Sequence, residues 1–183
     1  MTRISTFLAV VLLYLLPISS PCLAESFILP QNTSVNVYFS PNGGCTEAIV
    51  NEIEKAKTEI LVHAYSFTSA PIAKALLIAR KRNVNVQVIL DKSRRKQRYS
   101  AYKFFQNQGI PVYIDSAHAI AHNKIIIIDQ ETIITGSFNF TKAAEEKNAE
   151  NLLIIKSKDL AKIYIENWKN HFDHSDRSES YEF

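Results

Sequence analysis

His122 and Lys124 stand two residues apart at the head of "HNKIIIIDQETIITGSFNF", which runs from His122 to Phe140. In a strand, residues i and i+2 share a face. An imidazole and an ammonium are therefore expected side by side, with Asn123 turned the other way. The four isoleucines that follow are apolar enough to be buried on both faces. Two potentially cationic groups leading into such a run make a poor structural choice unless something anionic faces them. A phosphodiester is an anion that these residue types could transform. A neutral imidazole at His122 can attack phosphorus and form a phosphohistidine. Lys124, Ser137 and Asn139 can donate to the charge that develops on the oxygens. One such donor is typically worth on the order of 10²–10³ in rate. Metal catalysis, the rival route, wants clustered carboxylates around divalent ions. The Lys124 ammonium is no metal ligand at neutral pH and repels one. No metal ion and no cofactor are expected, and hydrolysis should tolerate chelators.

The elements that must hold these side chains alternate between strand-like and helix-like stretches. "VNVYF" (Val35–Phe39) reads as a strand that ends at the turn-forming "SPNGG". Thr46 is placed to cap a helix through "EAIVNEIEKAK", in which Ala48, Ile49, Ile53 and Ala56 recur at helical spacing. "EILVHAY" (Glu59–Tyr65) is a strand, and Ser69 or Pro71 opens the helix "APIAKALLIARKR". "VNVQVIL" (Val84–Leu90) alternates as a strand. A helix around "RYSAYKFFQNQ" stops at Gly109, and "PVYID" is a short strand. "NKIIIID" and "ETIITGS" are joined tightly enough to form a hairpin. "ENLLIIK" follows as a strand, and "SKDLAKIYIENWKNHF" as a final amphipathic helix. This order predicts an α/β domain, a mixed β-sheet flanked by helices. No internal repeat interrupts it.

The 183 residues, 46% of them hydrophobic, suit one globular domain with a sizeable core. Residues 1–24 are read separately. Arg3 is their only charge, Phe7 to Ile18 is an apolar run broken by Pro17, and Cys22-Leu23-Ala24 offers a small-residue cleavage site. That pattern is a secretory signal peptide, shorter than the roughly 20 apolar residues of a membrane span. Residues 25–183 then form a single exported domain, periplasmic or secreted. A retained N-terminal anchor is the alternative. Cys45 is the one cysteine left after removal of the signal, and burial is expected for it. The formal net charge of +3 says little about partners, but its distribution says more. Nine Lys or Arg residues lie between Arg80 and Lys103 against one acid, Asp91. The C-terminal "FDHSDRSESYEF" is acidic and expected to fray.

His122, Lys124, Asp129, Gly136, Ser137 and Asn139 are six fixed positions within 18 residues. They resemble the HKD motif of the phospholipase D superfamily, and in particular its small, exported, single-motif bacterial endonucleases of the Nuc type. "VHAYSFTSAPIAKAL", "VNVQVILD", "GSFNFTKAAEEKNAEN" and the helix around Trp168 extend the likeness over nearly the whole chain after residue 24. The resemblance implies the phospholipase D/nuclease fold with one HKD motif per chain. It gives Glu150 the task of orienting the nucleophilic ring, and it leaves Asp129 a supporting task in the turn and its polar network. It also implies a partner. Two-motif members take the leaving-group proton from a second motif histidine, and no other His-x-Lys occurs here. A homodimer sharing one site is therefore expected, with the two His122 side chains titrating as a coupled unit.

The implied activity is non-specific hydrolysis of DNA or RNA. Lys92, Arg94, Arg95, Lys96 and Arg98 would form a phosphate-contacting surface without base readout. The same chemistry would serve a phospholipase D acting on phospholipid head groups, since a basic face also attracts anionic membranes. A non-catalytic DNA- or membrane-binding module of the same fold is the third reading. Among the remaining residues, His63 is expected as a satisfied, half-buried strand residue and His118 as a loop residue near the site. Phe138 and Phe140 are expected in the core.

Overall fold

Isoleucine and valine dominate the strands that pair at the centre of the molecule. The computed structural model describes residues 26–31, 33–97 and 100–177. Eight strands are found among them: β1 (Ser34–Ser40), β2 (Glu59–Ala64), β3 (Asn85–Asp91), β4 (Val112–Asp115), β5 (Lys124–Ile128), β6 (Thr132–Gly136), β7 (Glu150–Lys156) and β8 (Asp176–Arg177). They make one mixed sheet in the order β1-β7-β6-β5-β2-β3-β4-β8. β2, β3 and β4 are parallel, because α2 (Ala70–Lys81) and α3 (Ala101–Asn107) provide the helical crossovers that parallel neighbours need. The remaining pairs are antiparallel.

Side-chain alternation sorts β5 between two cores. Ile126 and Ile128 join the larger one, packed with α1 (Cys45–Lys55), α2 and α3. Ile125 and Ile127 join the smaller one under α5 (Lys158–Asp173), with Leu61, Ile133 and Trp168. All five β5 residues are buried, as expected for a run apolar on both sides. Trp168 fixes α5 to the sheet by donating from Nε1 to the Val62 carbonyl at 3.0 Å. Among the described residues no helix is long and apolar enough to cross a membrane.

The β5–β6 hairpin turns through Asp129 and Gln130, with φ of 50° and 56°. Primed hairpin turns need such left-handed backbone, and Asp tolerates it. Cys45 is fully buried, and burial raises its thiol pKa to about 11.

Three local expectations need correction. Thr46 does not cap α1. The helix begins at Cys45, and the Glu145 carboxylate accepts from the amides of Gly44 and Thr46 at 3.0 and 2.6 Å. A carboxylate some hundred residues away thus satisfies the orphan donors that a local side chain usually takes. Glu145 sits on α4 (Lys142–Glu146), a short helix absent from the sequence reading. Within the C-terminal stretch, Asp176 and Arg177 are paired rather than frayed, joining Ile114 and Tyr113 as β8. Residues 1–24, read as a signal peptide, and Arg98 lie outside the described residues.

Candidate active site

The sheet reverses direction at β2, which runs parallel to β3 and antiparallel to β5. Open α/β sheets bind ligands at the carboxyl ends of their strands at such a reversal. Here β2, β3 and β4 end at the same edge from which β5 starts: Ala64 pairs with Lys124, and Asp91 with Asp115. β6 ends and β7 begins along that edge too, since Gly136 pairs with Leu152. The fold thus brings His122, Lys124, Ser137, Asn139 and Glu150 to one rim.

His122 is exposed, while Lys124 is only 7% exposed. Their side chains share a face as strand geometry requires, with Lys124 Nζ 3.0 Å from His122 Nδ1 and 2.9 Å from the His122 carbonyl. Asn123 points to the other face, its Nδ2 lying 3.1 Å from His63 Nδ1. Burial lowers the pKa of Lys124, and the charge of Glu150 opposes that shift. Glu150 therefore acts on Lys124 through space. Its Oε1 accepts from Asn148 Nδ2 at 3.2 Å, and among the described residues it makes no hydrogen bond to His122.

Ser137 and Asn139 alternate with Phe138 and Phe140, both fully buried. The phenyl rings anchor this segment. Phe140 bridges to Phe67, and its carbonyl accepts from Thr68 and Ser69 at 2.9 Å each. Ser137 Oγ accepts from Asn151 N and Nδ2 at 3.1 and 3.3 Å. Asn139 Oδ1 is buried without a partner among the described residues. Gly136 has φ 143°, and a Cβ there would lie 2.3 Å from the Asn151 carbonyl oxygen. The motif's glycine is thus what lets β6 and β7 close around Ser137. Beside these residues is a cleft of about 390 Å³ lined by His122, Lys124, Thr135, Gly136, Tyr164 and Asn167.

Asp129 does not join this group. It follows the far end of β5, about 16 Å from Lys124 at the usual strand rise. There its carboxylate accepts from the amides of Lys57, Thr58 and Glu59 at 2.8–3.0 Å and from the Thr58 hydroxyl at 2.8 Å. Burial works against ionisation, but these donors outweigh it and hold the pKa below the usual carboxylate value. A larger depression of about 680 Å³ beside Asp129, Lys158 and Lys162 contains none of the rim residues.

The basic cluster divides. It occupies a 3₁₀ turn, Lys92–Lys96, capped by Asp91. Asp91 also accepts from Ala121 N at 2.8 Å and so ties the turn to the loop that carries His122. Lys92 Nζ donates to the His118 carbonyl at 2.7 Å. The Arg94 guanidinium lies over the Tyr65 ring, 4.4 Å from its centroid. Arg95 and Lys96 are exposed.

A family model described as "Cardiolipin synthase, PLD-like domain" matches residues 49–172. A phospholipase D of Rickettsia conorii is 46% identical over 140 residues, covering 76% of this chain and 70% of that protein. The chain belongs to the phospholipase D superfamily. A crystal structure of the phospholipase D family member Nuc from Salmonella typhimurium superposes with a TM-score of 0.77 at 41% identity, over 81% of this chain and 99% of that one. The NucT structure from Helicobacter pylori shares the fold, with a TM-score of 0.73 at 20% identity over 80% and 99% of the two chains. With His122, Lys124, Ser137 and Asn139 of the motif gathered at one rim, this member of the superfamily is a phosphodiesterase.

Tyr65 is the rim residue that the sequence reading missed. Its ring centroid is 4.4 Å from that of His122, 5.0 Å from Lys124 Nζ and 4.4 Å from the Arg94 guanidinium. Its amide donates to the Asn123 carbonyl at 2.7 Å. The available signal was its place just after a strand that pairs with β5. His63 also departs from expectation. It is 1% exposed, and its Nε2 has no partner among the described residues.

Proposed function

We propose that the chain is a non-specific endonuclease that hydrolyses DNA and RNA phosphodiesters without a metal ion, in a site completed by a second copy of itself. The observation that carries this reading is the meeting of Arg94, Lys124 and His122 on one tyrosine ring. A basic turn whose Arg95 and Lys96 face solvent leads straight to the reactive imidazole. Such a path suits a polyanion held by its backbone.

In this mechanism His122 attacks phosphorus. A P–N bond forms as the P–O bond to the leaving strand breaks. The leaving alkoxide takes a proton from His122 of the second copy. Water then cleaves the phosphohistidine, with that second imidazole accepting its proton. Lys124, Ser137 and Asn139 donate to the developing charge. In the single chain the Lys124 ammonium donates to His122 Nδ1. An incoming phosphate competes for that ammonium and frees Nδ1 to carry a proton toward Glu150. The Lys124 charge disfavours a catalytic divalent ion beside His122. Residues 1–24 act as a signal peptide and place the enzyme outside the cytoplasm.

The rickettsial phospholipases D support a second reading, hydrolysis of phospholipid head groups at the same rim. Offering plasmid DNA, RNA and anionic phospholipid vesicles to the protein in excess EDTA separates the two. The nuclease reading expects nicking of plasmid and degradation of RNA. Head-group release with intact nucleic acid would overturn it in favour of the phospholipase.

A further inference from the structure

Four of the five histidines lie away from the reaction centre, and they gather around one carboxylate. Asp115 ends β4 with no solvent exposure. His118 follows it in the loop, and His171 and His174 come from the last turn and cap of α5. At i and i+3 on a helix, His171 and His174 share a face. Asp115 Oδ2 lies 3.0 Å from His118 Nδ1, 2.8 Å from His171 Nδ1 and 3.4 Å from His174 Nε2. The other oxygen, Oδ1, is held by the Ala117 and His118 amides at 3.2 and 3.4 Å, and it also lies 3.1 Å from His118 Nδ1.

We propose that Asp115, His118, His171 and His174 form a binding site for a zinc-class divalent transition-metal ion, separate from the HKD centre. The donor set is chemically apt, since imidazole and carboxylate are ordinary zinc ligands. One ligand atom from each residue lies within 4.8 Å of all the others. A tetrahedral ion with bonds of about 2.0–2.2 Å sets its ligand atoms about 3.3 Å apart. The three distances from Asp115 Oδ2 to the ring nitrogens, 2.8–3.4 Å, lie around that separation. The backbone amides on Oδ1 fix the carboxylate and present Oδ2, the kind of outer-shell support that metal ligands use. Hydrogen bonding alone serves the cluster poorly: three ring nitrogens approach an oxygen with two lone pairs. A cation accepts all four lone pairs instead.

His63 is a second, independent pointer. It is buried, its Nε2 is unpartnered among the described residues, and its ring packs edge-on against His171 with centroids 4.5 Å apart. Its ring is thus a further buried imidazole packed directly on a ligand of the proposed ion. The ion would staple the end of α5 to the loop between β4 and β5, the loop that delivers His122. Its role is to hold structure, and the HKD chemistry does not draw on it.

The test titrates tag-free protein, stripped with chelator and dialysed, with Zn²⁺ alone. Calorimetry should show one ion per chain and scanning fluorimetry a raised melting temperature, while cleavage at 25 °C persists in EDTA. His118→Ala and His174→Ala remove exposed ligands. Each should weaken Zn²⁺ binding by at least about tenfold, with the metal-free melting temperature kept near that of the parent. His122→Ala should bind Zn²⁺ like the parent. Absence of stoichiometric uptake by the parent overturns the proposal. So does equal affinity in the His118 and His174 variants, or loss of binding in His122→Ala, which would put the ion at the HKD centre.

Discussion

At the scale of single residues, Tyr65 organises the cations of the site. The Arg94 and Lys124 cations share its ring, each such contact being worth about 0.5–2 kcal/mol, and the His122 ring packs beside it. Tyr65→Phe keeps the ring and should stay within about twofold of the parent. Tyr65→Ala should lower kcat/KM by about tenfold or more, read in steady-state cleavage of a fluorescent oligonucleotide. Lys124 sets a pH limb. Its folded pKa is lowered by burial, and in the proposed mechanism its charged form meets phosphate. Activity should therefore fall with rising pH at a point below the ordinary lysine value of about 10.4. In Lys124→Arg the limb should vanish from the pH–rate profile, because a guanidinium does not deprotonate in this range. The same shift has a stability sign. The unfolded chain holds the proton more tightly, so this group's contribution favours folding increasingly as pH rises toward the ordinary lysine value.

At the scale of elements, β5 works at both ends. Its start carries Lys124 and its end leads into Asp129, which ties the β5–β6 turn to the segment before β2. Asp129→Asn should cost about 1–3 kcal/mol of stability, with the lower part of that range fitting a partly solvated carboxylate. Its kcat at 25 °C should stay within about twofold. A paired urea melt and cleavage assay checks this. The folded pKa of Asp129 is depressed, so its contribution is full above the unfolded carboxylate value and disappears as pH falls through the folded one. The urea midpoints of parent and variant should accordingly converge in acid. β1 to β7, α1, α2, α3 and α5 could be read from the sequence because their patterns are local: a two-residue period in β3, apolar spacing in α1 and α5, a tight link between β5 and β6. The cap of α1 could not, because Glu145 reaches Gly44 and Thr46 from across the chain. The histidine cluster escaped for the same reason, with Asp115 and His171 bonded at a separation of 56 residues. The rim was largely readable from the HKD spacing. Tyr65 and Arg94 were brought to it only by the pairing of β2 with β5 and by the 3₁₀ turn after β3.

At the scale of the whole molecule, the sheet collects its chemistry along one edge, and one chain supplies one reactive histidine there. The proposed mechanism calls on a second chain for leaving-group protonation. Sedimentation velocity at working concentrations should find a dimer, and specific activity should fall on dilution through its dissociation constant. A fully active monomer would refute the shared site. The most direct test of His122 chemistry is cleavage of supercoiled plasmid by purified residues 25–183 in excess EDTA, with His122→Ala run in parallel. The parent should nick and linearise the plasmid, while the variant, still dimeric and melting normally, should lose activity by more than about 10³-fold, the scale on which removal of a nucleophile acts. Equal cleavage by both proteins, or cleavage abolished by EDTA and restored by added divalent ion in both, would contradict it.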